Sequence, residues 1–505
     1  MDVRGRLLTG AIWISGGRVI TNVLTVISTV VIARLLTPND FGLVALGTTF
    51  LAIVSSITDI PLTEALVQHR SPTDGHFNTA FTMSAARALI VAVIFAALGW
   101  PAAILYKDPR LINVMLVLAA GVALNGLGNP RAIMLTKQLI FWQQFVLQVV
   151  QKLAYLVVSV GIAVIYRSYW ALLLGALAGQ LVGVIVSYSV LPFRPRVTLR
   201  YARELMSFSV WLTLGQIVNT INFRLDQLLI GTFVSKIQLG YYVVGDNLAT
   251  IPTREATAPL TATVFPAFSR LAHDRPRLAA AYSRAQSLTT AVALPLGAGV
   301  AIIADPLVRL TMGHKWIPAI FIIQALAAVF AFQTLGNLAQ PLAMATGQTP
   351  LLFKRSLQAL LFRVPFILIG MYADGMIGIV YARIFTGTAG LFMNANIVTR
   401  ITGLTFMQQI GSNFRALASS AAMALAAAGL WRFLPAASNS ILNIEEIALL
   451  IPFCAAIYVF FTAALWHLAG RPSGPETELL SLVAKAAGNI RSKLRPAPAA
   501  DPLGK

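Results

Sequence analysis

"NTINFRLDQLLIGTFV", residues 219–234, sets Arg224 and Asp226 in a run that is otherwise uncharged and mostly apolar. In water such a run would form an ordinary helix wetted on one side. In a bilayer an ionised side chain is costly, so each charge would need a partner or a wet surface. The fold turns on which solvent surrounds the chain.

Composition answers that. The chain has 505 residues, of which 57% are apolar and 11% charged, and its mean hydropathy is +0.76. Soluble domains carry about 25% charged residues. Apolar runs of roughly 20 residues, the length that crosses bilayer hydrocarbon, recur from end to end. The chain reads as an all-α polytopic membrane protein. Cys454 is the single cysteine, which excludes a disulfide framework and a cysteine-built metal site. Arg4 and Arg6 precede an apolar stretch that continues to about residue 36 without a small-residue cleavage site, so a retained first helix is expected.

About fourteen spans satisfy the ~20-residue criterion. They lie near 11–33, 42–66, 78–99, 111–132, 146–166, 169–191, 207–232, 239–265, 285–304, 317–342, 356–373, 376–399, 414–434 and 446–468. Lysine and arginine gather in alternate loops, most clearly in "FRPRVTLRYAR" (193–203) and "RLAHDRPRLAAAYSRA" (270–285). Of the 38 basic residues, about 23 fall inside, about 8 outside and about 7 within spans when the N-terminus is cytoplasmic. An even number of spans puts the C-terminus there too. The net charge of +20 follows from this bias and favours contact with anionic phospholipids. No stacking aromatics accompany the basic residues, so nucleic acid is not expected as a partner. The tail, 471–505, reads as a surface amphipathic helix followed by a disordered end.

A faint internal echo divides the chain. Thr37 in "LLTPNDFGLVA" (35–45) and Ser235 in "FVSKIQLGYYV" (233–243) each precede a glycine by five residues, Gly42 and Gly240. Two similar lobes of about six helices are expected, at 1–200 and 201–400, with two added helices at 401–470.

Helical geometry treats the charges. At about 100° per residue, Gln216, Asn219, Thr220, Asn222, Arg224, Asp226 and Gln227 share an arc of about 200°, with Arg224 and Asp226 near opposite margins. They are poorly placed to pair with each other. Two central charges cost roughly 5–7 kcal/mol on insertion, and a dozen large apolar residues return roughly 4–7 kcal/mol. Neighbouring helices or water must stabilise this span. In the first span Ser15, Arg18, Asn22, Thr25 and Thr29 lie within about 80°, and in the eighth Asp246, Asn247, Thr250, Thr253, Arg254, Thr257 and Thr261 lie within about 120°. The eighth also holds Pro252, Pro259 and Pro266, which predicts a bend. The second span has Thr48, Ser55 and Asp59 on one side, then Glu64, while Arg87, Arg363 and Arg383 are single cations in the third, eleventh and twelfth.

Two readings compete for these residues. They either lock the bundle through satisfied ion pairs, or line a central hydrophilic cavity. Taken as a set the stripes favour the cavity, and arginine's grip on phosphate favours an anionic cargo. Enzymatic chemistry is not expected. His69, His76, His273, His314 and His467 sit in loops or near span ends, none spaced with an acid as a metal cluster needs, and no phosphate-binding glycine loop is present.

Five stretches carry a resemblance: "ARLLTPNDFGLVAL" (33–46), "GNPRAIMLTKQLIFWQ" (128–143), "LDQLLIGTFVSKIQLGYYVVGDNLATIP" (225–252), "VFPAFSRLAHDRPRLAAAYSRA" (264–285) and "MGHKWIPA" (312–319). In order and spacing the chain resembles, from roughly 10 to 470, the Wzx-type polysaccharide flippases of the multidrug/oligosaccharidyl-lipid/polysaccharide (MOP) exporter superfamily. The resemblance implies two pseudo-symmetric six-helix lobes around a central cavity. It implies alternating access that carries an undecaprenyl-diphosphate-linked oligosaccharide from the cytoplasmic to the periplasmic leaflet of the bacterial inner membrane. A polysaccharide polymerase or export assembly is an expected partner. The substrate-binding role would fall on Arg18, Asn22, Arg87, Asn219, Arg224 and Arg254. No cofactor is implied beyond proton or sodium coupling, for which Asp59, Asp226 and Asp246 are the candidates. Two alternatives remain. One is a small-molecule exporter on the same fold, which the Arg18 stripe weakens and the three acids keep alive. The other is a polysaccharide polymerase or ligase, which would need a sizeable outer loop that this topology lacks.

Overall fold

The computed structural model describes residues 3–59, 72–137, 141–206, 210–433, 440–472 and 474–477, with Leu62 and Leu66. The side chains of 3–15, 18, 19, 136, 137, 141, 206, 210–213, 262 and 440 are outside that description. The orientation of Arg18 and almost all of the expected tail helix therefore lie outside the described residues.

Every regular element among the described residues is helical. The long helices are α1 (Val3–Leu35), α2 (Pro38–Thr58), α3 (Asp74–Leu105), α4 (Arg110–Gly126), α5 (Phe141–Tyr166), α6 (Trp170–Val190) and α7 (Val210–Leu229). They continue with α8 (Lys236–Leu271), α9 (Arg275–Thr311), α10 (Ile317–Gln333), α11 (Thr349–Thr402), α12 (Phe414–Trp431) and α13 (Ser440–Leu468). Nine helices among the described residues are long and apolar enough to cross a membrane. The fourteen spans read from the sequence all overlap helix. The five that length and apolarity do not return are α1 and α4, which are short as apolar segments, the polar-striped α7 and α8, and the second half of α11. That last helix breaks at Asp374 and Gly375, where Gly375 takes φ 53° and ψ −125°, a conformation open to glycine alone. By contrast α8 stays one helix through its three prolines.

Large apolar side chains are exposed along whole faces, among them Leu89, Ile90 and Val93 on α3 and Ile451, Val459 and Phe460 on α13. A soluble monomer does not leave apolar surface of this extent uncovered; lipid is the solvent that accepts it.

Within the bundle α1 packs on α5, α5 on α6, α3 on α4, and α4 on α6 and α2. On the other side α8, α9 and α10 pack together, α7 and α10 lie on α11, and the α12–α13 pair lies on α9. The two groups meet mainly through α2 against α7 and α8. The largest buried apolar cluster sits at that junction, with Leu43 and Leu46 of α2 beside Leu239 and Tyr242 of α8, Ile322 of α10 and Ile379 of α11.

The echo in the sequence becomes a physical contact here. Thr37 caps α2 by accepting from the Asp40 amide, while Asp40 returns a carboxylate to the Thr37 amide. Ser235 caps α8 by accepting from the Gln238 amide at 3.1 Å. Both satisfy amides that a helix start leaves open. One turn on, a Cβ at Gly42 would collide with the Lys236 carbonyl, and a Cβ at Gly240 would collide with the Pro38 carbonyl. The contact is reciprocal: each helix start seats its glycine on the other's first residue. The next equivalent pair repeats the rule inside each group, Gly47 lying on Val114 of α4 and Gly245 on Ile322 of α10.

Candidate functional site

The polar flank of α7 faces the end of α2. Gln216, Asn219, Thr220, Phe223 and Arg224 of α7 meet Ala52, Ser55, Ser56 and Asp59 at the end of α2, with Arg87 of α3, around a cavity of about 390 Å³. Asp59 is the residue at which α2 stops, in an extended conformation. A helix end leaves carbonyls without intrahelical partners, and Arg87 takes up one of them. Its Nη2 donates to the Ser55 carbonyl at 2.9 Å and lies 3.1 Å from Asp59 Oδ1.

Arg224 has a different partner. Its Nη1 donates to Gln227 Oε1 at 2.8 Å, and the same oxygen accepts from the Thr49 hydroxyl at 2.9 Å. Among the described residues no carboxylate lies within ion-pair distance of Arg224. An amide fixes the guanidinium without cancelling its charge. The cleft thus holds two guanidiniums against the single Asp59 carboxylate and is net positive.

The opposite margin of α7 builds a second, largely buried cluster. Asp226 is 0% exposed, and its Oδ2 accepts from Arg363 and Arg383 of α11 and from the Tyr242 hydroxyl of α8, the last two at 2.6 Å. Arg363 also donates to Asn222 Oδ1 at 3.3 Å, and Arg383 Nη2 lies 3.0 Å from Asp246 Oδ1. The Arg383 guanidinium stacks over the Phe330 ring at 5.1 Å. Two arginines meet two aspartates, and the cluster is formally neutral. It ties α7, α8 and α11 together.

A third group lies between α1 and α8. Asn22 Nδ2 donates to Glu255 Oε2 at 3.0 Å, and the exposed Arg254 lies 3.0 Å from Glu255 Oε1.

The residues expected from the sequence therefore separate. Arg87, Asn219, Arg224 and Asp59 share one cleft. Asp226 and Asp246 sit in the buried cluster, and Asn22 and Arg254 meet through Glu255. As anticipated, Arg224 and Asp226 do not pair with each other. Arg363 and Arg383, legible only as single cations, turn out to be the partners of Asp226. Gln227 was legible only as a member of the polar arc, and Glu255 and Tyr242 were missed. Glu255 carried a signal, being the one acid beside Arg254 in its stretch; Tyr242 carried none, since a phenol is commonplace in helices.

The cleft is net positive and lies at the junction of two helix groups inside a lipid-facing bundle. Solved transporters share the helix arrangement. The lipid II flippase MurJ in an inward closed conformation matches with a TM-score of 0.71 at 13% identity, over 92% of this chain and 100% of that one. An inward-facing multidrug resistance MATE transporter of the MOP superfamily matches with a TM-score of 0.57 at 15% identity, over 76% of this chain and 96% of that one. At such identities the likeness establishes the fold alone, that of a multi-pass helical membrane protein.

The chain belongs to the polysaccharide biosynthesis protein family, whose model matches residues 31–321. Among its relatives is the lipopolysaccharide biosynthesis protein WzxC of Escherichia coli K12, 23% identical over 387 residues, 75% of this chain and 78% of that one. The succinoglycan biosynthesis transport protein ExoT of Rhizobium meliloti 1021 is 25% identical over 327 residues, 64% of this chain and 66% of that one. The teichuronic acid biosynthesis protein TuaB of Bacillus subtilis 168 is 21% identical over 359 residues, 70% of this chain and 74% of that one. The resemblance read from the sequence holds for both family and fold.

Proposed function

We propose that the protein is a flippase that moves an undecaprenyl-diphosphate-linked oligosaccharide across the bacterial inner membrane by alternating access, from the cytoplasmic to the periplasmic leaflet, for surface polysaccharide. The observation that carries the reading is Arg224. It stands in the cleft bonded to an amide, with no carboxylate within ion-pair distance among the described residues. A diphosphate would supply the missing anion through paired N–H donors. Arg87, half committed to Asp59, and Asn219 complete the set that would hold the head group. Relatives named for lipopolysaccharide and succinoglycan synthesis and the likeness to a lipid II flippase support the same cargo class.

Of the three acids, Asp59 is the one in the cleft, with its side chain 51% exposed. It is our candidate for proton or sodium coupling, because binding an ion there would release Arg87. Basic loops would face the cytoplasm and its anionic lipid, with both termini on that side. The glycan would be delivered to a polymerase or export assembly at the outer face.

The test is Arg224→Gln in a strain lacking the chromosomal copy. The variant should insert normally, accumulate the lipid-linked intermediate and lose most surface polysaccharide. Full export by this variant would remove the assigned site. A small-molecule exporter would instead leave polysaccharide unchanged in the deletion strain and alter drug susceptibility.

A further inference from the structure

The segment from α6 to α7 joins one helix group to the other, and its first part is fastened to the group it leaves. Residues 192–199 have no regular structure, and a short helix, Ala202–Met206, follows. Phe193 and Leu205 bury their side chains in an apolar cluster with Phe77 and Met83 of α3. Between these anchors the backbone is pinned along α3. Asn78 Oδ1 accepts from the Arg196 amide at 3.0 Å, and the Thr82 hydroxyl accepts from the Thr198 amide at 3.1 Å. The Tyr201 ring stacks on His76 at 4.0 Å. Residues 193–205 thus form a strap laid on the first turns of α3.

The strap turns its charge outward. Arg194, Arg196, Arg200 and Arg203 are exposed, and none has a carboxylate within ion-pair distance among the described residues. The neighbouring acids are engaged: Asp74 lies 2.5 Å from Arg131, and Glu204 lies 3.4 Å from His76 Nε2. Among these cations two apolar side chains stand out from the surface, Val197 at 86% exposed and Leu199 at 61%. The boundary of a bilayer accepts that mixture, because the apolar groups enter lipid while the cations meet headgroups.

The strap lies where that boundary falls. At about 100° per residue, Asn78, Thr82, Leu89 and Val93 share one face of α3 within about 60°. The strap covers the polar end of this stripe. Beyond it Leu89, Ile90 and Val93 are exposed. From Thr82 to Leu89 is about 10 Å along the helix axis, and the headgroup region is about 5–7 Å deep on each side of the hydrocarbon. With Leu89 in hydrocarbon, the strap lies at headgroup depth. A lipid whose chains rest on Leu89 and Val93 has its headgroup against the arginines. Four unpaired guanidiniums favour a headgroup whose phosphate charge is not offset by an amine, and arginine grips phosphate through paired N–H donors.

We propose that the strap and the adjoining lipid-facing stripe of α3 form a docking site for an anionic phospholipid, which holds the segment joining the two helix groups at the membrane surface. The proposal goes beyond the flippase reading and does not rest on it.

The experiment uses the full chain in phosphatidylcholine nanodiscs. Val197→Cys, in a Cys454→Ser background, carries a nitrobenzoxadiazole fluorophore. The probes are trace phosphatidylglycerol and trace phosphatidylcholine, each with a quenching nitroxide high on one acyl chain. Phosphatidylglycerol should associate with the strap about fivefold more strongly than phosphatidylcholine, the attraction that one basic residue near a membrane surface supplies. Adding Arg196→Gln with Arg200→Gln should bring the two lipids within about twofold. Asn78→Ala with Thr82→Val, which keeps every charge and removes the two pins, should give the same loss. Should that pair fail to fold, Thr82→Val alone must lower the preference. Arg270→Gln with Lys354→Gln, two exposed cations off the strap, should leave it intact. Equal quenching by both lipids in the parent would overturn the site and leave these arginines to water or a soluble acidic partner. An equal loss in the Arg270→Gln, Lys354→Gln variant would reduce the effect to overall charge and overturn it too, as would a preference that survives in both strap variants. Trace undecaprenyl diphosphate should not relieve quenching by phosphatidylglycerol; relief would mark a cargo site instead. Because the readout is phospholipid contact and not export, failure of this proposal leaves the flippase reading standing.

Discussion

Two neighbouring charges on α7 play opposite parts, and their partners decide which. Arg224 bonds to an amide and keeps its charge for the cleft. Asp226 spends its charge on two buried guanidiniums and a phenol. Removing one partner from a buried pair costs about 3–5 kcal/mol, because the other is left uncompensated. Asp226→Asn should therefore lower thermal stability and folded yield in detergent, where Arg224→Gln should leave both near wild type. Pairing Asp226→Asn with Arg383→Met should recover part of the loss, since coupled sites are non-additive. If Asp226→Asn instead folds like the wild type and loses only export, the acid couples an ion and is not a structural tie. The sequence showed that each charge needed some partner, from the 200° arc alone. It could not show which. Arg363 and Arg383 lie far along the chain, and only the packing of α11 on α7 brings them to Asp226.

At the level of helices, the junction of α2 and α8 is set by backbone meeting backbone. A side chain can change rotamer to relieve a clash, but a carbonyl inside a helix cannot, so a large residue at Gly42 or Gly240 must push the helices apart. Overpacking of this kind costs about 1–3 kcal/mol or more. Gly42→Leu and Gly240→Leu should each abolish export while the chain still inserts. Gly161→Leu on α5, whose Cβ would meet nothing within 4 Å, should be silent in the same polysaccharide measurement. Export by the Gly42→Leu variant would mean that this contact is not part of the transport cycle. A second prediction concerns the break in α11. Gly375→Ala forces a side chain into a glycine-only conformation and should cost about 1–3 kcal/mol, read as a drop in Tm. Much of this level was legible. Apolar period and length placed a helix at each expected span, and the division between spans ending at 373 and starting at 376 coincides with the Asp374–Gly375 break. Five-residue spacing from Thr37 to Gly42 and from Ser235 to Gly240 marked the echo. What spacing could not convey is that the two copies touch each other, which is a property of the assembled bundle and not of either segment.

Over the whole molecule, several ties between the helix groups gather at one end, where α1 stops and α2 starts, apart from Asn22–Glu255 and Thr49–Gln227. Lys236 at the head of α8 lies 2.6 Å from Asp108 Oδ2, in the α3–α4 turn. Lys315, before α10, donates to the Arg34 and Leu36 carbonyls at 2.8 and 2.6 Å, and Trp316 Nε1 donates to the Ala33 carbonyl at 2.8 Å. Each group thus clasps the helix junction of the other, while the cleft with Arg87 and Arg224 lies toward the far end of α2. The proposed alternating access would require these clasps to open. Burial alone would push the Asp108 carboxyl up, but hydrogen bonds from Arg110 and Lys236 outweigh it and hold the carboxyl well below the usual range. A folded-state value below the unfolded one, about 3.9, means that the clasp contributes fully above that pH and is lost only as pH falls through the depressed value. Asp108→Asn removes a charge-assisted bond worth about 1.5–3 kcal/mol, about tenfold or more in the opening equilibrium. A reporter cysteine at Thr48, on the Ser55 face of α2 but nearer the clasped end, can be labelled from that side in a Cys454→Ser background. Labelling should rise in Asp108→Asn at every pH, and in the parent it should stay flat between about pH 7.5 and 5, far above the depressed value. A rise in the parent over that range would place the pH-sensitive clasp on another group, and unchanged labelling in Asp108→Asn would show that the Asp108–Lys236 tie does not hold this end closed.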